Sequence, residues 1–233
     1  FLGGSKVRII NADITKRIDI PSDVTNIYHC AGVIDREDKM EEVNVLGTAN
    51  VAEAALKNNC LLIHLSSAGV VGRGICKNID ETAENNPQNL YERTKLEAEN
   101  VINDYLAKGL KAQTLRPTII FGIGREPSRD SFLHLVKAIK KGHYMNVGGG
   151  LGIYNIVHVN EVVRAMRVLG EVNIPNGQKF IVNTPIYFKD FAEVVLEGDK
   201  DKIAKLRNIS YPVAFCAAAI FSAASKIMRR KMP

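Results

Sequence analysis

Tyr91 and Lys95 stand four residues apart in the segment Tyr91-Glu92-Arg93-Thr94-Lys95. On a helix that spacing puts both side chains on one face, one turn from each other. A phenol has a reference pKa of about 10 and exchanges protons poorly near neutrality. An ammonium beside it favours the phenolate and is expected to lower that value. Ser67, just after the apolar run Leu61–Leu65, offers a hydroxyl that can hydrogen-bond the oxygen of an alcohol or ketone. Ser67, Tyr91 and Lys95 are together the parts of a proton-transfer device for alcohol–carbonyl chemistry. Each residue also has a plainer use. Tyr91 can pack an amphipathic helix on a sheet, Lys95 can pair in solvent with Glu99 at i+4, and Ser67, like its neighbour Ser66, can be a strand-end turn residue.

The elements that must position these residues follow from periodicity. Val7-Arg8-Ile9-Ile10, Asn26-Ile27-Tyr28-His29, Leu61 to Leu65 and Gln113 to Pro117 read as strands. Met40, Val43, Gly47, Val51 and Ala54 fall at helical spacing, giving a helix from about Lys39 to Asn58. Tyr91, Lys95, Ala98 and Ile102 line one face of a second helix that ends near Gly109. Strands alternating with helices of this length predict an α/β fold, a parallel sheet with helices on both faces. After Gly124 the pattern loosens. A helix is expected from Ser131 to Lys141 with Gly142 as its stop, then a loop at Gly148–Gly150, a strand at Ile156-Val157-His158-Val159, a helix from Glu161 to Leu169, a strand at Phe180-Ile181-Val182, and two helices at the end. Residues 1–124 and 125–233 are then expected to form two parts, the second with sheet elements interleaved.

Composition narrows the function classes. The chain has 233 residues, 46% hydrophobic and 24% charged, which is ordinary globular usage. A net charge of +6 suits an anionic cofactor or substrate. It is too diffuse for nucleic acid, since the longest basic cluster is Arg229-Arg230-Lys231 and no aromatic residues interleave with it. Cys30, Cys60, Cys76 and Cys216 lie far apart, as do His29, His64, His134, His143 and His158. None has metal-ligand spacing, so no metal site is expected, and free thiols point to a reducing compartment such as the cytoplasm.

Five motifs in order resemble an extended short-chain dehydrogenase/reductase of the NAD-dependent epimerase/dehydratase family. They are His29-Cys30-Ala31-Gly32, Asn44-Val45-Leu46-Gly47-Thr48, Ser66-Ser67-Ala68-Gly69-Val70-Val71-Gly72, Tyr91 to Lys95, and Leu115-Arg116-Pro117-Thr118-Ile119-Ile120-Phe121-Gly122. The resemblance implies a Rossmann-like fold, with residues 1–124 an incomplete dinucleotide-binding domain and residues 125–233 mainly a small substrate-binding lobe with interleaved Rossmann elements, and NAD or NADP as cofactor. It implies catalytic roles for Ser67, Tyr91, Lys95 and Asn44, the last positioning the catalytic helix. It implies that Asp13 and Ile14 face the adenine, that Ala31, Gly32 and Pro117 lie along the cofactor, and that Tyr91 and Lys95 reach its nicotinamide ribose. For Asp13 a simple Asx turn is equally compatible with the sequence. The family often pairs two copies through the helices carrying Asn44 and Tyr91.

Two departures matter. The family's glycine fingerprint, which brings backbone against a pyrophosphate at a helix N-terminus, is absent; Gly148–Gly150 precedes a strand and cannot replace it. The chain therefore reads as lacking two earlier strand–helix units, and the strand at Tyr28 is expected to become an exposed sheet edge. Second, Tyr154-Asn155 stands where nucleotide-sugar enzymes of the family carry Arg-Asp, whose Arg clamps the diphosphate. Arg125 and Arg164 are the other candidate phosphate contacts. The first expectation is an epimerase or dehydratase acting on a small molecule, a nucleotide sugar. The alternatives are a dehydrogenase or reductase of a less polar alcohol or ketone, of 3β-hydroxysteroid or dihydroflavonol type, and a non-catalytic binding protein. The apolar run from Pro212 to Ala224, followed by basic residues, is shorter than the roughly 20 residues needed to span a bilayer and is expected to pack in the substrate lobe.

Overall fold

The computed structural model describes residues 9–72, 79–122, 131–204 and 206–217. In chain order its elements begin with β1 (Asn26–His29), α1 (Glu37–Met40), a π-helical turn (Glu41–Leu46), α2 (Gly47–Lys57), β2 (Leu61–Leu65), α3 (Leu90–Leu106) and β3 (Lys111–Pro117). They continue with β4 (Ile119–Phe121), α4 (Ser131–Lys140), β5 (Met145–Val147), β6 (Ile153–His158), α5 (Val159–Glu171) and β7 (Lys179–Val182). β8 (Thr184–Tyr187), α6 (Phe188–Val195), α7 (Lys200–Ala204) and β9 (Arg207–Ile209) follow, and residues 211–217 are helical. The described residues fall into two compact units, one drawn from Phe1–Ile120 with Val159–Asn183, the other from Phe121–His158 with Thr184–Pro233.

The first unit is a four-stranded sheet in the order β1-β2-β3-β7, parallel throughout. Side chains alternate across it. Leu62 and Ala112 meet Val51, Ala52 and Ala55 of α2 and Ile102 of α3 in one apolar core, with Ile27 packed against it. Tyr28, the next residue along β1, points the other way, and its hydroxyl abuts Gly170 of α5. Helices therefore cover both faces, as the alternating pattern predicts. β1 is the edge strand among the described residues, and Tyr28 there is 43% exposed.

Three expectations need correction. Val7 and Arg8 lie outside the described residues, and Ile9-Ile10 form no strand and stand exposed. A strand exists only as part of a ladder, and no described strand lies beside them. The helix from Lys39 to Asn58 is also not uniform. Its second turn, Glu41–Leu46, is π-helical, which rotates the face inward so that Asn44 is buried while Val43 is half-exposed. The end of the chain differs too: α6, α7 and 211–217 make three helical stretches among the described residues where two are expected.

The second unit centres on Ile139 of α4, Ile156 of β6 and Phe191, Ala192, Val195 and Leu196 of α6 and its C-cap. β6 pairs antiparallel with β8. Gly142 ends α4 with φ +70, the left-handed stop expected there. In the helical stretch 211–217, Val213 and Phe215 are exposed, while the Tyr211 ring abuts Gly148. The remainder of the apolar run lies outside the described residues. Among the described residues no helix is long and apolar enough to cross a membrane.

Gly47 shows how tightly the loop after residue 12 is held. A Cβ there would stand 2.7 Å from Cδ1 of Ile14, and Asn50 Nδ2 donates to the Ile14 carbonyl at 2.8 Å. Gly47→Ala is expected to destabilise the chain by about 1–2 kcal/mol through overpacking, against the ~1 kcal/mol gain that helix propensity alone gives. Denaturant unfolding reads the sign; a more stable variant would show that Ile14 is loosely held.

Candidate active site

α3 starts on a cap that its sequence writes out. Asn89 Oδ1 accepts from the Glu92 amide at 2.9 Å, and Glu92 Oε2 accepts from the Gln88 amide at 2.6 Å, so one orphan donor of the first turn and the amide just before the cap are satisfied. The serine loop packs on this same turn. A Cβ on Gly69 would meet Glu92 Cγ at 2.8 Å, so only glycine lets the loop lie so close to the turn carrying Tyr91. Ser67 is the N-cap of a short 3-10 helix, Ala68–Val71, and its Oγ accepts from the Gly69 amide at 3.1 Å. Gly72 closes the loop at φ +71, where any Cβ would collide with the Asn86 carbonyl.

The two serines differ in their surroundings. Ser66 Oγ donates to Glu99 Oε1 at 2.6 Å and is buried. Ser67 is the half-exposed hydroxyl. Lys95 is buried, and its Nζ donates to the Leu65 carbonyl at 2.9 Å. It is not the solvated partner of Glu99. Its ammonium joins α3 to the end of β2, two residues before Ser67. A Cβ on Gly32 would lie 3.4 Å from Lys95 Nζ and 3.2 Å from Asn44 Oδ1, so these three residues meet at one point.

Asn44 works as a clamp. Its Oδ1 accepts from the Val33 amide at 2.8 Å, while Nδ2 donates to the Val33 carbonyl at 3.0 Å and to Thr94 Oγ1 at 3.1 Å. Thr94 Oγ1 in turn donates to the Tyr91 carbonyl at 3.0 Å. Asn44 thus binds the loop after β1 to the helix of Tyr91 and Lys95. Its contacts are to backbone and a hydroxyl.

The electrostatics depart from the sequence expectation. Burial pushes the Tyr91 phenol up, and the Glu92 carboxylate adds to that. Lys95 does not pull it down in this structure, because its ammonium is directed to Leu65 O. Lys95 is itself pushed down to about 8, by burial first, with Cys30 and Glu99 opposing. Asp13 Oδ1 accepts from Thr15 N at 3.0 Å and Thr15 Oγ1 at 2.8 Å, an Asx turn. Ile14 packs on Gly47. Pro117 is buried at the end of β3, opposite Val182. Ala31 and Gly32 are exposed in the loop after β1. Tyr154 packs at a tilt into the aromatic cluster of Phe188 and Phe191, at 5.6 Å and 5.3 Å between centroids. Arg164 faces Glu161 at 3.9 Å on the exposed side of α5; Arg125 lies outside the described residues. No group of metal-ligating side chains occurs among the described residues.

Sequence reasoning missed the hub beneath the site. Glu99 is fully buried. Arg116 reaches it with Nε at 2.9 Å and Nη2 at 2.6 Å, and Lys179 Nζ approaches at 3.1 Å. Arg116 also donates to Asn85 Oδ1 at 3.2 Å. The only sequence signal is that Ser66 and Arg116 sit inside motifs read for another purpose, while Glu99 reads as the i+4 partner of Lys95.

The backbone of Gly32, the Asn44 amide and the Lys95 ammonium thus converge beside the strand end that leads to Ser67.

Glu99→Gln should cost about 3–5 kcal/mol, because it strands the Arg116 charge. Burial raises the Glu99 carboxyl, but bonds from Arg116 and Ser66 and the charges of Arg116 and Lys179 outweigh it, and it ends below its ordinary value. A depressed carboxylate stabilises above its unfolded pKa and loses that contribution as pH falls through the folded value. Unfolding curves below pH about 4.3 should therefore be flatter in the variant than in the parent; parallel acid limbs would refute the hub.

Comparison with known proteins places the chain. The sequence profile of the NAD dependent epimerase/dehydratase family matches residues 4–182. An N-acetyl-alpha-D-glucosaminyl-diphospho-ditrans,octacis-undecaprenol 4-epimerase from Escherichia coli O157:H7 is 30% identical over 196 residues, 82% of this chain and 58% of that protein. A decarboxylating sterol-4-alpha-carboxylate 3-dehydrogenase from Schizosaccharomyces pombe is 29% identical, over 78% of this chain and 58% of its own. The chain thus spans just over half the length of these curated relatives. A dTDP-glucose 4,6-dehydratase of Streptomyces venezuelae, solved with NAD, shares the fold with a TM-score of 0.68 at 18% identity, covering 89% of this chain and 68% of that one. The chain belongs to the NAD dependent epimerase/dehydratase family.

Proposed function

We propose that the chain is part of an NAD- or NADP-dependent epimerase or dehydratase acting on a nucleotide or diphosphate-linked sugar. The observation that supports this most is the clamp: Asn44, Gly32 and Lys95 meet at one point, and Lys95 is bonded to the strand end that leads to Ser67. When bound, NAD or NADP supplies the hydride acceptor. Tyr91 and Lys95, with Ala31, Gly32 and Pro117, are the residues that would hold its nicotinamide half, and Asp13 and Ile14 its adenine end. Ser67 hydrogen-bonds the substrate oxygen, and Tyr91 takes the hydroxyl proton as the carbonyl forms. Lys95 lies one helical turn away. Turned from Leu65 toward the site, its ammonium would favour the phenolate and offset the burial that now disfavours it.

A second reading has its own support. Tyr154 lies in an aromatic cluster where sugar-nucleotide relatives would place an arginine fork, which favours a less polar alcohol or ketone, as in the sterol dehydrogenase relative. The exposed Leu46 beside Val45, Ala49 and Val101 lines a groove, and we propose it as the face through which two copies pair. Light scattering that finds only monomer would remove the pairing.

The test starts with calorimetric titration of NAD and NADP into this chain and into the longest reading frame that contains it. Binding is expected at least in the longer protein. Binding by neither would leave a non-catalytic protein on the same fold. UDP-glucose, UDP-N-acetylglucosamine and a 3β-hydroxysteroid are then supplied with the cofactor. Isomerised sugar without accumulation of reduced nicotinamide supports the epimerase, and accumulation on the steroid supports the second reading. Tyr91→Phe should lower turnover by roughly 100-fold or more with unchanged unfolding; full activity would refute the relay.

A further inference from the structure

His29 closes β1 and belongs to no step above. It is 4% exposed, and its Nε2 lies 2.9 Å from Thr48 Oγ1. Thr48 Oγ1 lies 2.6 Å from the Asn44 carbonyl, four residues back along the helix. A carbonyl can only accept, so the single hydroxyl proton of Thr48 points at Asn44 O. Only a lone pair of Oγ1 is left for His29, and Nε2 must carry the proton. The geometry therefore fixes the tautomer: His29 donates to Thr48, and Thr48 donates to Asn44.

The bond falls where the helix is unusual. Asn44 sits in the π-helical turn Glu41–Leu46, and such turns are rare and need local support. A Thr hydroxyl bonded four residues back is a known means of bending a helix. The two bonds act on the same residue whose side chain clamps the Val33 loop and Thr94. Donors then run in one direction along the whole path: His29 to Thr48, Thr48 to Asn44 O, Asn44 Nδ2 to Thr94, and Thr94 to Tyr91 O. The last strand residue of β1 is thereby coupled to the first turn of α3. His64 offers His29 no competing bond. Its ring is 5.3 Å away, and both of its nitrogens are buried without a hydrogen-bond partner.

We propose that His29 is a positioning residue: as an Nε2–H donor acting through Thr48, it holds the wide helical turn that sets the Asn44 clamp and, through it, the register of the Tyr91 turn. The catalytic part of this rests on the function proposed above; the structural part does not. What the site needs from His29 is a directed N–H. A glutamine amide can supply that donor, whereas a leucine of similar bulk cannot.

The experiment separates the two parts. Nitrogen-15 NMR of the labelled protein in its longest reading frame should show His29 as the Nε2–H tautomer at neutral pH. The Nδ1–H tautomer would overturn the proposal. Amide exchange of Val33, whose N–H is bonded to Asn44, should quicken by about tenfold or more in His29→Leu and in Thr48→Val. It should return close to the parent rate in His29→Gln and Thr48→Ser. The double variant His29→Leu/Thr48→Val should be no worse than either single change. Unchanged exchange in both leucine and valine variants, failure of glutamine and serine to restore it, or additive effects would each refute the coupling. If His29→Leu does not fold, Thr48→Val and Thr48→Ser carry the test alone. With whichever probe substrate turns over, His29→Leu should lower kcat by about tenfold with KM little changed. Absence of turnover in the parent would count against the enzymatic reading, while exchange and tautomer still decide this one.

Discussion

A carboxylate with no access to water is held at Glu99, and most of the site's geometry depends on it. Two of its contacts come from strand ends, Ser66 after β2 and Arg116 in β3, and a third from Lys179 at the start of β7. Parallel strands are joined only by long crossovers, so nothing local sets how far each runs before its loop begins. A buried ion with several directional partners does set it. Removing water from the carboxylate is costly, and the bidentate guanidinium offsets that cost. Ser67 emerges from one of the ends so fixed and Pro117 lies on another.

Above that hub the site is assembled from short, one-directional bonds. Asn44 grips a loop on one side and a helix on the other, and the amide can sit in only one orientation, since exchanging its oxygen and nitrogen would oppose like groups at Val33. Close packing does the rest. Gly69 and Gly47 let a loop lie flat on a helix where a methyl group would not fit. Stabilisation and positioning are therefore carried by the same contacts.

The parts legible from sequence were those written in apolar runs. β1 and β2 fall on the residues that read as strands, β2 as a short apolar run and β1 as Asn26–His29 ahead of the glycine turn. α3 follows from its period, with Tyr91, Lys95, Ala98 and Ile102 on one face. What periodicity could not show was polar burial. Glu99 reads as a solvent-facing residue, since a buried carboxylate and a solvated one look alike until their partners are folded beside them. The π-helical turn was invisible for a related reason. Met40, Val43 and Gly47 fit an ordinary helix, and only the folded backbone shows that the turn is wider. At Ile9-Ile10 an apolar run formed no strand, because strand formation depends on a neighbour as well as on the run itself. The expected effect of Lys95 on Tyr91 failed on direction: spacing places the ammonium within a turn of the phenol, but a carbonyl on β2 claims it.

The buried ammonium of Lys95 makes the folded chain a poorer host for that proton than water is. Between pH about 8, its folded value, and about 10.4, its value in an unfolded chain, the unfolded state binds more of the proton. Stability therefore rises with pH across that window, and at neutrality the full burden of the buried charge is present. A protein that keeps such a group forgoes stability at the place where it works. An anion set against Lys95 would lift that burden, drawing a proton from the buffer near pH 8. Its heat of binding would then vary with the buffer's own enthalpy of ionisation.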